Sequence, residues 1–167
     1  MKNIFPRLAI GLIFGLAGCS PKEPAPVVDP AIEEAARLHE EFFGAEGKSP
    51  DITWRSSGLG IRLITPGAGA APAMTDTIRV HYIGRLKDGQ VFDDSHKRGE
   101  PSDFVVNQLI AGWAAAMPSL KPGGRAIFFI PPYLGYGGLH AGKIPPESGL
   151  IFEVELIAVN PATAPKP

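Results

Sequence analysis

Tyr82, Phe92, Phe104, Trp113, Tyr136 and Phe152 each fall near a strand end, a turn or a helix of this sequence. Aromatic side chains of this kind bind apolar ligands and exclude water; they attack no bond by themselves. Scattered aromatics are usually plain core, so their spacing alone does not set them apart from packing. Polar candidates are sparse. Asp93-Asp94 with His96 lacks the second cluster that a metal site needs, and Asp94 and His96 read as a solvated loop. His81 precedes Tyr82 on a strand pattern, where neighbours take opposite faces, so it reads as a structural residue turned away from whatever Tyr82 faces. No G-x-S-x-G elbow occurs, no P-loop or G-x-G-x-x-G follows a strand, and the serines lack an evident His/Asp framework. Cys19 is the sole cysteine, which excludes an intrachain disulfide and a multi-Cys zinc centre.

Positioning these side chains falls to a chain of 167 residues that is 44% hydrophobic and 20% charged. Those proportions suit one globular domain with modest appendages and exclude global disorder. Lys+Arg 16 against Asp+Glu 17 leaves a formal charge of −1, so no basic field exists to hold nucleic acid. Gly 20 and Pro 18 stand above average usage and favour a turn-rich sheet over a helix bundle.

Thr77 to Leu86 alternates Ile78, Val80 and Tyr82 against Thr77, Arg79 and His81, the pattern of a half-buried strand. Asp88-Gly89 predicts a hairpin turn into Gln90-Val91-Phe92. Further short strands are expected at Ile61–Thr65, Ser102–Val106, Arg125–Ile130 and Leu150–Val159. Leu109–Met117 is the one convincing helix in this region, with Pro118 limiting its length. The combination predicts an α+β domain, an antiparallel sheet with one short helix on its face, over residues 54–159. Residues 160–167 read as a flexible tail.

The N-terminus reads as an address. Lys2 and Arg7 precede the apolar run Leu8–Ala17, the shape of a secretory signal over residues 1–18. Leu16-Ala17-Gly18-Cys19 resembles the lipobox of bacterial lipoproteins, in which the cysteine thiol is acylated. That likeness implies a lipid anchor at Cys19 and a protein of the bacterial cell envelope, facing the periplasm. Ser20 in place of Asp points to the outer membrane. Residues 19–53 then form a lipidated tether and a short helix. The Pro-rich Ser20–Pro30 is the extended part. Asp29-Pro30 opens the helix, Ile32, Ala35, Ala36, His39, Phe42 and Phe43 recur on one face, and Gly44 ends it. This helix is expected to dock on its own domain, with self-association through Phe42 and Phe43 as the less favoured alternative.

The order of the short motifs carries a resemblance. Val80-His81-Tyr82-Ile83-Gly84, Asp88-Gly89, Val91-Phe92-Asp93, Ile110-Ala111-Gly112-Trp113, Ile130-Pro131-Pro132 with Tyr136-Gly137, Ile144-Pro145-Pro146 and Leu150–Leu156 follow one another. Together, over about Gly58 to Val159, they resemble the FKBP-type peptidyl-prolyl cis-trans isomerases. The lipobox makes the chain most similar to the bacterial envelope members, relatives of the macrophage infectivity potentiators. The segment before Trp54 is too short for the long helical dimerisation region of those relatives.

The resemblance implies a twisted antiparallel sheet wrapped around one short helix, with a pocket between them. It implies Trp113 as pocket floor, Tyr82, Phe92, Phe104, Ile110 and Phe152 as walls, and Leu109 at the rim. Asp93 and Tyr136 would be polar groups acting beside Tyr82, and the Ile144 backbone N–H would meet a substrate carbonyl. The implied activity is rotation about X-Pro bonds in unfolded or flexible Pro-containing polypeptides, with no cofactor and no metal. Macrolides such as rapamycin are the implied inhibitors. The other reading is a non-catalytic, chaperone-like module that uses the same groove. Ser102, Asp103, Leu134 and Asp94 depart from the usual residues of the family and bear on substrate and macrolide preference.

Overall fold

The computed structural model describes residues 30–162. The expected signal, Cys19, nearly all of the Pro-rich tether and residues 163–167 lie outside them. Strand β3 (Thr77–Arg85) forms where the two-residue period requires it, with Ile78, Val80, Tyr82 and Gly84 buried and the alternate residues half-exposed. It pairs antiparallel with β7 (Leu150–Val159) on one side. On its other side it pairs with β4 (Val91–Asp94) and β5 (Ser102–Val105). Beyond β7 lie β6 (Gly124–Ile130), β2 (Gly60–Thr65) and the short edge strand β1 (Thr53–Trp54). The neighbour order β1-β2-β6-β7-β3-β4, with β5 also on β3, makes one seven-stranded sheet.

The apolar run on β6 is buried on both faces, and this explains why it does not alternate. Ala126, Phe128 and Ile130 face the main core, while Ile127 and Phe129 join Phe43, Ile52 and Ile151 in a second cluster. Helix α1 (Pro30–Phe43) covers that second face and ends at Gly44, whose φ of +62° suits a glycine. Phe43 meets Phe129 edge-on at 5.6 Å, and the His39 ring lies flat on Trp54 at 3.4 Å. The helix therefore docks on its own domain, as its apolar face predicts.

Three local features differ from expectation. Asp94 and His96 do not sit in a solvated loop. A one-turn helix, α2 (Ser95–Arg98), starts there, and the Asp94 side chain accepts hydrogen bonds from the backbone N–H groups of His96 (3.0 Å) and Lys97 (3.2 Å). The domain helix α3 spans Ala111–Ala116 only, because Val106–Gln108 forms a tight turn before it and Ile110 is extended (φ −55°, ψ 149°). Asn160, the first residue of the expected tail, is tied down: its N–H donates to the Thr77 carbonyl at 2.7 Å and its side chain bonds Thr77 and Asp76.

Candidate active site

The site lies between α3 and the concave face of the sheet. Register puts Tyr82 opposite Val154 and Gly84 opposite Phe152, so their inward positions share one face. A Cβ at Gly84 would stand 2.5 Å from the Phe92 ring and 2.8 Å from Phe152. Its absence lets those rings meet edge-on, with centroids 5.4 Å apart. Gly112 does the same for α3: a Cβ there would fall 2.4 Å from Ile130 Cγ2, so the helix backbone presses against β6.

That close approach seats Trp113 beneath the sheet. Its ring stands edge-to-face on Phe152 (5.2 Å), Tyr82 (5.4 Å), Phe128 (6.0 Å) and Phe104 (6.3 Å). Above it opens a cavity of about 650 Å³, a size that suits a peptide segment or a small ligand. Tyr82, Phe92, Asp93, Phe104, Leu109, Ile110, Trp113, Tyr136, Ile144 and Phe152 all line it. Every pocket residue expected from the sequence thus stands in one cavity. Gln108, Ala141, Gly142 and Lys143 line it as well and were not foreseen.

The polar side of the cavity is a closed network. Tyr82 Oη donates to Asp93 Oδ2 at 2.5 Å. Arg98 donates to Asp93 Oδ1, to Tyr82 Oη (3.2 Å) and to Ser102 Oγ (3.0 Å), with its guanidinium 5.5 Å from the Tyr82 ring centroid. Burial pushes the Asp93 carboxyl up. The hydrogen bonds from Tyr82 and Arg98 and the Arg98 charge outweigh it, and hold the carboxyl below its ordinary value. Burial and the Asp93 bond push the Tyr82 phenol up. Asp93 is therefore ionised and fully engaged at neutral pH, which makes it a brace and a fixed charge rather than a free base. Arg98 is missing from the sequence-level site, yet its signal is present: Asp94 as cap and Gly99 as terminator enclose one helical turn, which returns Arg98 to Asp93.

His81 faces away, as its strand position predicts. Its Nδ1 lies 2.9 Å from the buried Ser95 Oγ, which also accepts from the Tyr82 N–H at 2.8 Å. His81 thus braces the strand from behind. Ile144 does not take the donor role that the resemblance implies. It lines the cavity, but its backbone N–H donates to the Ala141 carbonyl at 2.9 Å, so it is not available to a substrate carbonyl. The bond closes a tight turn, with the Ala141 N–H returning to the Ile144 carbonyl at 3.0 Å. Ile110, at the N-cap of α3, carries a backbone N–H without an acceptor among the described residues, and its residue also lines the cavity. The arrangement offers an apolar seat with hydrogen-bond donors around it.

Comparison with known proteins bears on this geometry. Residues 69–157 match the model of the family described as FKBP-type peptidyl-prolyl cis-trans isomerase. The FKBP-type 22 kDa peptidyl-prolyl cis-trans isomerase of Escherichia coli is 40% identical over 95% of this chain and 85% of its own length. A probable FKBP-type peptidyl-prolyl cis-trans isomerase of Haemophilus influenzae is 42% identical over 87% of this chain. This chain spans 59% of that relative's length. The crystal structure of FkpA from Escherichia coli aligns with a TM-score of 0.69 at 38% identity, over 78% of this chain and 63% of that one. The aromatic cavity, the sheet that curves around α3 and these matches together place the chain in the FKBP-type peptidyl-prolyl cis-trans isomerase family.

Proposed function

We propose that the chain accelerates cis–trans rotation about X-Pro bonds in unfolded or flexible polypeptides, and that the cavity over Trp113 is where the prolyl ring sits. The observation that carries this is the convergence on one cavity of an indole floor, aromatic walls and a braced carboxylate. Rotating an amide costs ~18–20 kcal/mol because the C–N bond has double-bond character. X-Pro bonds still populate both isomers, since trans is favoured by only ~0.5–1 kcal/mol. No covalent bond breaks, so no nucleophile is needed. A dry apolar seat disfavours the charge-separated planar amide relative to the twisted one, whose charges are less separated. The Ile110 N–H takes the role of donor to a substrate carbonyl, in place of the engaged Ile144 N–H. Asp93 fixes the Tyr82 hydroxyl, and Tyr136 stands half-open at the mouth. Selective stabilisation by ~5–6 kcal/mol would give about four decades in rate.

The clients fit the address read in the sequence: Pro-containing chains outside the cytoplasm, met by a domain tethered to the envelope through acylated Cys19. The outer membrane is the proposed destination, and macrolides such as rapamycin are proposed ligands of the same cavity. Mass spectrometry of the mature N-terminal peptide tests the anchor, since a chain that starts anywhere but at an acylated Cys19 contradicts it. A protease-coupled assay on a short X-Pro peptide tests the activity. Acceleration by catalytic amounts of protein supports the isomerase, whereas saturable binding without acceleration supports the non-catalytic module.

A further inference from the structure

We infer that Lys143 biases the cavity toward substrates with an acidic residue next to the proline and against those with a basic one. The inference deepens the isomerase reading and rests on it. The charges that line or brace the cavity are few. Among the described residues Asp93 is the one carboxylate lining it, and its oxygens are taken by Tyr82 and Arg98, so the Asp93–Arg98 pair contributes no net charge. Lys143 also lines the cavity and has no ion-pair partner among the described residues. Of the charged side chains that line the cavity, Lys143 is thus the one left without a counter-ion among the described residues. The remaining polar lining groups, Gln108 and Tyr136, are neutral.

The backbone under Lys143 is fixed. It sits inside the turn closed by the reciprocal Ala141–Ile144 hydrogen bonds, next to Gly142 at φ +59°. The long, exposed side chain can swing, but its origin cannot leave the rim. A peptide threaded with its proline over Trp113 must pass this rim, and a carboxylate beside the proline meets an unpaired ammonium there. A basic side chain at the same place meets a like charge and finds no free carboxylate in the lining. Because the ion pair forms in partial contact with solvent, the expected bias is modest, roughly two- to fivefold in kcat/KM between Glu and Gln at the favoured flank. It should shrink in high salt.

The test uses the full chain and two peptide series, with Glu, Gln or Lys immediately before the proline in one and immediately after it in the other. kcat/KM is measured at low and high salt, and peptide affinity is read in parallel from tryptophan fluorescence. In at least one series the order Glu over Gln over Lys is expected in both readouts. The Glu-to-Lys ratio should fall toward one in Lys143→Gln and invert in Lys143→Glu. Equal values across both series in the unaltered protein would overturn the inference, and so would a preference that survives unchanged in Lys143→Gln. Loss of the isomerase reading looks different: no peptide is turned over, while the affinity order still reports on the charge at the rim.

Discussion

Asp93 shows how the chemistry of a residue depends on its partners. As an isolated acid at a pocket mouth it could be taken for a base. With the Tyr82 hydroxyl and the Arg98 guanidinium on its oxygens, it becomes a brace for one wall of the cavity. Asp93→Val should leave the domain folded and peptide binding largely intact while lowering kcat/KM about tenfold or more. Full activity in that variant would reduce Asp93 to a turn residue. The pH dependence has a definite sign. The folded carboxyl titrates below its ordinary value, so its contribution to stability is complete above the unfolded pKa of about 3.9 and is lost as pH falls through the lower, folded one. Activity that depends on this network should hold down through pH 5 and fall in strong acid. A loss centred near neutral pH would point to another group. Lys143 and the Ile110 N–H could not be singled out from residue type. A lysine in a loop is commonplace, and a backbone donor becomes available only through the extended conformation of Ile110.

At the scale of elements, the sequence is informative wherever one face is buried. β3 alternates because one side meets α3 and the other meets water, and its pattern reads directly. β6 does not alternate, yet its short apolar run still marks a strand covered on both faces. α2 was not legible. A single turn cannot nucleate from propensity, and it exists because Asp94 caps it and Arg98 is held by Asp93. The Ala141–Ile144 turn was hidden for a similar reason, since its closing bonds are backbone geometry rather than side-chain pattern. Two predictions belong here. Gly112→Ala forces a methyl into Ile130, so α3 must lift from β6. The melting temperature should drop by several degrees, in line with the ~1–3 kcal/mol cost of overpacking, and catalysis should weaken with it. An unchanged melting curve and rate would show that the helix has slack. His39, desolvated on Trp54, has its imidazole pKa pushed below the usual 6.5. Its neutral form is the docked one, so the α1 contact is complete above pH 6.5 and weakens as pH falls through the lower folded value. An NMR titration of the His39 ring should show a midpoint below 6.5; a midpoint above it would contradict the docking energetics.

For the molecule as a whole, one sheet serves two helices on opposite faces. α3 closes a polar-edged cavity on the concave side, and α1 covers Phe129 and Trp54 on the other. Arg85 bonds Glu46 at 2.7 Å, and the Lys87 ammonium reaches the Glu41 carbonyl at 2.9 Å, so the chain just after α1 and the end of the helix are tied to the β3 end of the sheet. The proposed reaction needs this rigidity, since a cavity that distinguishes a twisted amide from a planar one cannot be soft. The most direct measurement is exchange NMR on an X-Pro peptide with a trace of the full chain, which follows cis–trans interconversion at equilibrium without a coupling protease. Exchange cross-peaks are expected at mixing times far shorter than the uncatalysed tens of seconds, lost or strongly reduced in Trp113→Leu that retains its fold by circular dichroism. Shifted peptide resonances without exchange, or equal exchange in the folded Trp113→Leu variant, would contradict the proposed function.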